Sequence, residues 1–132
     1  MKWAIEVIPI PVTDVTAAVE FYTAKVGFTL DLEVDLGNGR RAVQLTPPGS
    51  ACSIVLGSGS DAAPGSVRGV QIVVEDVEAA RRGLAERGVD VSPVRHFEAG
   101  EWRDGPGGTW NSWVFFDDPD GNGWALQERA PG

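Results

Sequence analysis

Val12-Thr13-Asp14-Val15-Thr16-Ala17-Ala18, near the start of the chain, has a counterpart in Val74-Glu75-Asp76-Val77-Glu78-Ala79-Ala80. In each, a β-branched stretch ends at an Asp suited to cap a helix, and an Ala-containing amphipathic segment follows. A second pair, in the same order along the chain, sets Leu45 to Leu56 beside Phe116 to Gln127, both a strand end, a proline turn and a new strand. Two ordered matches flanking the same succession of elements mark an internal duplication, and self-similarity of this kind governs the choice of fold.

Outward from the first match, Ile5 to Val12 is rich in Ile and Val. Pro9 and Pro11 make it an expected edge strand, because proline has no N–H to give to a ladder. Val15, Ala18, Val19, Phe21, Tyr22 and Val26 fall near helical spacing, and Gly27 is the stop signal. Phe28 to Leu36, Arg40 to Leu45 and Ala51 to Leu56 are expected strands, separated by the turns Gly37-Asn38-Gly39 and Pro47-Pro48-Gly49. A Gly/Ser/Ala/Pro stretch leads into the second half. There Val70 to Val74 reads as a strand, Asp76 to about Arg87 as a helix, and Val89 to Phe97, Ser112 to Phe116 and Gly123 to Gln127 as strands. Each half is thus βαβββ. The expected fold class is α+β, with two such modules forming a cupped mixed sheet and the helices outside. One domain over residues 1–132 is expected, with module one at about 1–57, a linker at 58–66 and module two at about 67–132.

The chain has 132 residues, of which 42% are hydrophobic, with 17 Gly and 9 Pro, so it is ordinary globular material rich in turns. A formal net charge of −8 repels phosphate backbones and anionic lipid, which argues against nucleic-acid and membrane partners. Neither a long apolar run nor a signal-peptide start is present at Met1-Lys2-Trp3-Ala4, and a cytoplasmic location is expected. Cys52, the single cysteine, supplies neither an internal disulfide nor a thiolate cluster for zinc.

Val12-x-Asp14-Val15 with Phe21-Tyr22 and Gly27-Phe28, followed by Asp118-Pro119-Asp120-Gly121-Asn122, resembles the vicinal-oxygen-chelate superfamily of glyoxalase, bleomycin-resistance and dioxygenase proteins. The resemblance covers essentially the whole chain and implies two βαβββ modules around a small-molecule site. It also implies where metal-bearing members hold their ligands, seven residues before each helix-opening Asp and seven after the first Asp of the DPDGN turn. Those positions are Val7, Gly69 and Ala125, and the repeat places Ile54 as the module-one counterpart of Ala125. None carries a donor atom for a cation, so no metal and no cofactor is expected. Glu128 lies on the wrong strand parity to replace them. The branch resembled is the metal-less, antibiotic-binding one.

Alternation along strands then selects the side chains expected in the cup. Val7 shares a face with Trp3, Ile5 and Pro9; Gly69 goes with Gln71 and Val73. The resemblance places Trp113 and Phe115 toward the cavity, and by the repeat Gln44 corresponds to Phe115 and Ala42 to Trp113. Such a site is aromatic and apolar, with Gln44 and Gln71 as orienting amides. Trp102 and Trp110 lie in the Gly-rich segment 100–113, where a lid stacking on a flat ligand and a plug for the barrel end or dimer seam are equal readings. Trp124 is expected in the core. His96, the one histidine, has no serine or paired carboxylate at a telling spacing, and the Asp117, Asp118 and Asp120 cluster is best explained by turn chemistry.

These features point to a metal-independent protein that binds and sequesters an aromatic, antibiotic-like molecule as a self-resistance device, without catalytic residues. By analogy with the family it is expected to be a homodimer. The rival is a glyoxalase-like lyase or isomerase, or a hydrolase, acting on a small metabolite with Glu or His as base. A purely structural or regulatory role has no positive feature in its favour.

Overall fold

In the computed structural model, which describes residues 1–131, the chain divides into two compact units. The first comprises Met1–Val67 with Asp118–Asn122; the second comprises Arg68–Asp117 and the chain from Gly123 onward.

The first unit contains β1 (Val7–Ile10), α1 (Val15–Glu20), a π-helical turn (Phe21–Val26), β2 (Thr29–Gly37), β3 (Arg40–Thr46) and β4 (Ser53–Leu56). Asp14 caps α1 as its position implies, its Oδ1 accepting the Ala17 N–H at 3.1 Å. Gly27 ends the helical segment in the left-handed region at φ 94°, where a side chain is strained. The strand order is β1-β4-β3-β2, with β1 parallel to β4 and the others antiparallel. Ile10, Val43, Leu45, Ile54 and Leu56 are buried on the face that packs against α1, together with Ala18 and Tyr22.

The second unit contains β5 (Val70–Val74), α2 (Val77–Glu86), β6 (Arg95–Glu98), β7 (Glu101–Asp104), β8 (Trp113–Asp117) and β9 (Gly123–Glu128). Its order is β5-β9-β8-β6-β7. Without β7 this is the order of the first sheet, so the duplication read in the sequence is a duplication of topology. Asp76 caps α2 as Asp14 caps α1, accepting from Ala79 N–H at 3.0 Å. Val114, Phe116, Trp124 and Leu126 form the buried face toward α2, and Trp124 is a core residue as expected.

Two elements depart from the sequence reading. The strand expected over Val89 to Phe97 forms only at Arg95–Glu98. Pro93 has no N–H to give, and Ser92 substitutes for regular pairing: its N–H donates to the Phe115 carbonyl (2.9 Å) and its Oγ accepts from Phe115 N–H (2.9 Å). The segment read as a Gly-rich loop also contains a strand, β7, paired to β6 through a two-residue turn at Ala99-Gly100. Both turn residues have positive φ, 50° and 81°, as a type I′ hairpin requires.

The DPDGN turn links β8 and β9 but is seated in the first unit. Asp118, 4% exposed, accepts from Tyr22 Oη–H (2.7 Å), Asn122 Nδ2–H (2.8 Å), and the N–H groups of Asp120 and Asn122 (2.9 Å each). Asn122 donates to the Pro11 carbonyl (2.9 Å) and accepts from Val67 N–H (3.1 Å), while Asp120 accepts a hydrogen bond from the Thr13 hydroxyl (2.6 Å). A side chain on Gly65 would come within 2.1 Å of the Asp120 carbonyl oxygen. The aspartates thus serve turn and packing chemistry.

Candidate ligand-binding face

Register decides what each sheet presents on the face away from its helix. In the second sheet Phe115 pairs with Ala125 and Ala125 with Gln71, while Trp113 pairs with Gln127 and with Arg95. Phe97 lies opposite Trp102, and Arg95 opposite Asp104. By alternation, Gln71, Val73, Trp113, Phe115, Ala125, Phe97 and Trp102 share one face.

Four of these rings touch. Trp102 stands edge-on to Phe97 (centroids 5.2 Å), Trp113 (5.8 Å) and Phe115 (5.0 Å), whereas Trp113 and Phe115 lie parallel, 3° apart, at 6.3 Å. Edge-to-face pairs of this kind contribute about 0.5–1.5 kcal/mol each beyond area burial and hold one another in place. The cluster is open to solvent, with Phe97 46% and Trp102 47% exposed. Trp110 sits beyond the cluster in a left-handed backbone conformation (φ 61°), its carbonyl accepting from Gln127 Nε2–H at 2.8 Å.

The first sheet presents a different open face. Val7 pairs with Ser53, Pro9 with Val55, and Gln44 with Val55, so Val7 and Gln44 lie on the open side. Ile54 does not: it pairs with Ile8 and Leu45 and is buried toward α1. Val55 holds the place that the repeat assigned to Ile54, because Pro9 occupies the register position of Gln71, and Gln71 pairs with Ala125. Sequence alignment of the two proline turns slipped by one residue, and in a strand one residue reverses the face. Trp3 precedes β1 and is 85% exposed, and Gly69 precedes β5, donating its N–H to the Gly123 carbonyl (3.1 Å). A polar corner of Asp31, Thr46 and Ser53 was not singled out in the sequence: Thr46 Oγ1 donates to Asp31 and lies 2.6 Å from Ser53 Oγ. No spacing rule marks it, because a β-bulge between Leu30 and Leu32 brings Asp31 there.

Val7, Gly69, Ala125, Ile54 and Val55 carry no cation donors, and among the described residues no group of three or more His, Cys, Asp or Glu is arranged to hold a metal ion. The residues present do not fit the metal centre of the family's enzymes. His96 lies on the opposite side of β6 from the rings. Its Nδ1 is 2.8 Å from the Gly105 carbonyl and its Nε2 is 3.1 Å from Glu98, and these acceptors, the carbonyl first, raise its pKa above the usual 6.5.

Comparison with known proteins agrees with this architecture. The family model of the Glyoxalase/Bleomycin resistance protein/Dioxygenase superfamily matches residues 4–126. Among solved structures, TnmS3, an antibiotic binding protein from Streptomyces sp. CB03234, is 34% identical, with 98% of each chain covered and a TM-score of 0.78. A glyoxalase/bleomycin resistance protein from the same organism is 35% identical over 95% of this chain and 100% of the other, with a TM-score of 0.74. A superfamily member from Sphaerobacter thermophilus DSM 20745 is 26% identical over 97% and 98%, with a TM-score of 0.76. No match is found among curated proteins. No helix among the described residues is long and apolar enough to cross a membrane.

Proposed function

Because this chain belongs to the glyoxalase/bleomycin resistance protein/dioxygenase superfamily, we propose that it uses that fold to bind and sequester a planar aromatic, antibiotic-like molecule in the cytoplasm, without a metal, as a self-resistance protein. The observation that carries the reading is the solvent-open cluster of Phe97, Trp102, Trp113 and Phe115 on the face of the second sheet away from its helix. Rings pre-positioned by mutual contact offer stacking surface at little further ordering cost, which is what affinity for a flat ligand needs. The likeness to TnmS3 supports the same reading.

The protein acts as a homodimer in this proposal. Leu32, Val34 and Leu36 leave a row of half-exposed apolar side chains along β2, the edge strand of its sheet, and a contiguous row of this kind favours association. Analytical ultracentrifugation at low micromolar concentration tests it, and a clean 14.0 kDa species removes the dimer.

Tryptophan fluorescence reads binding directly. Titration with anthraquinone-like, enediyne-derived, glycopeptide and small aliphatic compounds is expected to select the flat aromatic ones. Binding only of aliphatic oxoacids that are then consumed would overturn sequestration in favour of catalysis, and a stoichiometric divalent ion in protein purified without chelator would overturn metal independence.

A further inference from the structure

One cation stands in direct strand register with the ring cluster. Arg95 lies opposite Trp113 on one side and opposite Asp104 on the other, on the same face as Phe97 and Trp102. Its ion pair with Asp104 runs from Nε at 3.4 Å to a carboxylate that is 81% exposed. A single contact through Nε to so exposed a partner is weak, and it leaves the outer edge of the guanidinium, with both Nη groups, for another acceptor. Two other polar groups beside the rings are differently disposed. Gln127 is committed to the Trp110 carbonyl, and Arg68 lies at the far end of the face, 3.5 Å from Asp117.

Resting on the stacking reading above, we propose that Arg95 selects planar ligands bearing an anionic edge group, a carboxylate or an ionised phenol. Guanidinium presents a rigid, planar pair of donors that matches a carboxylate bidentately, and its plane suits the rim of a ring already stacked on Trp113. The chain's net charge of −8 acts in the opposite sense and favours cations at long range. Proximity settles the competition: exposed charges more than about 8 Å away are largely screened at physiological ionic strength, while a guanidinium at the ring edge is not. Asp104 then acts as a placeholder that an incoming carboxylate displaces.

Three congeners sharing one ring system separate the possibilities: anthraquinone-2-carboxylate, its carboxamide, and a trimethylammonium derivative. Calorimetric titration of the full chain is expected to rank the carboxylate about tenfold tighter than the carboxamide, with the cation weakest. Arg95→Gln is expected to bring carboxylate and carboxamide within about twofold of each other, and Arg95→Lys to keep part of the preference. Asp104→Asn, at an exposed position, is expected to strengthen carboxylate binding severalfold by removing the competing acceptor. Equal binding of carboxylate and carboxamide, a preference that survives Arg95→Gln, or tightest binding by the cation overturns the role of Arg95 while the stacking reading stands. Failure of all three congeners to bind overturns both.

Discussion

Behind their helices the two sheets are built from similar material: Ile10, Val43, Leu45 and Leu56 in the first, Val114, Phe116, Trp124 and Leu126 in the second, all buried. On their open faces they part. The first offers Val7, Pro9, Val55, Ala42 and Gln44, edged by Leu32 and Val34; the second offers Trp113 and Phe115 at the register positions of Ala42 and Gln44, then adds Phe97 and Trp102. Packing against a helix tolerates little change of volume, so duplication preserves that face. The open face has no such partner within its unit and is free to diverge. Divergence here has concentrated the rings in one half, and the extra strand β7 supplies the ring that touches the other three.

The turns that precede β4 and β9 differ as sharply. Pro47-Pro48-Gly49 closes with a single backbone bond, Ser50 N–H to the Pro47 carbonyl at 3.0 Å, whereas the Asp118 turn buries Asp118 and Asn122 and bonds both several times over. Asp118→Ala is therefore expected to cost about 3–5 kcal/mol in urea denaturation, since several donors lose a charged acceptor together. Tyr22→Phe, which removes one of them, is expected to cost about 1–2 kcal/mol. Alanine substitution at Pro48, on the exposed turn, serves as the contrast, and an equal cost at both turns would erase the distinction.

A second comparison swaps equivalent positions on the open faces. Trp113→Ala is expected to weaken flat aromatic ligands by more than about 1.4 kcal/mol, tenfold in affinity, while Gln44→Ala, in the corresponding strand of the first sheet, is expected to matter much less. Fluorescence titration of both variants decides it. Unchanged binding in Trp102→Ala, Trp110→Ala and Trp113→Ala alike would remove the rings from the site.

Sharper still is the hairpin that the first half lacks. Ala99 holds a left-handed conformation that disfavours a side chain other than Asn or Asp, so Ala99→Asn is expected to stabilise the protein by about 0.5–1 kcal/mol. Thermal unfolding is the measure, and destabilisation would mean that the turn is not of type I′.

The smallest expected effect is one of pH. His96 is protonated more readily in the folded state, chiefly through the Gly105 carbonyl and then Glu98, against opposition from desolvation and then from Arg103, which itself pairs with Glu101 and lies 4.0 Å from Glu98. A raised folded pKa contributes stability that is complete below the ordinary value of 6.5 and is lost as pH rises through the folded value. Amide exchange of the β6–β7 hairpin is expected to quicken across that range beyond its intrinsic pH dependence, and His96→Gln to abolish the excess.

The repeat, both helix caps and the order of elements along the chain were legible in the sequence because they rest on local signals, and the family resemblance pointed Trp113, Phe115 and Ala125 to one side. Asp14 and Asp76 cap their own helices, and side chains on β8 and β9 alternate with a fixed period of two. Tertiary structure alone decided that Val55 rather than Ile54 faces outward, that a bulge at Asp31 separates Leu30 from the face of Leu32, and that Trp102 lies against Trp113 and Phe115. Pairing register and turn closure join residues distant in the chain, and a slip of one residue reverses a face without altering local alternation. Ala99-Gly100 is a weak hairpin signal beside Asn-Gly, so only the completed pairing of β6 with β7 brings the fourth ring into the cluster.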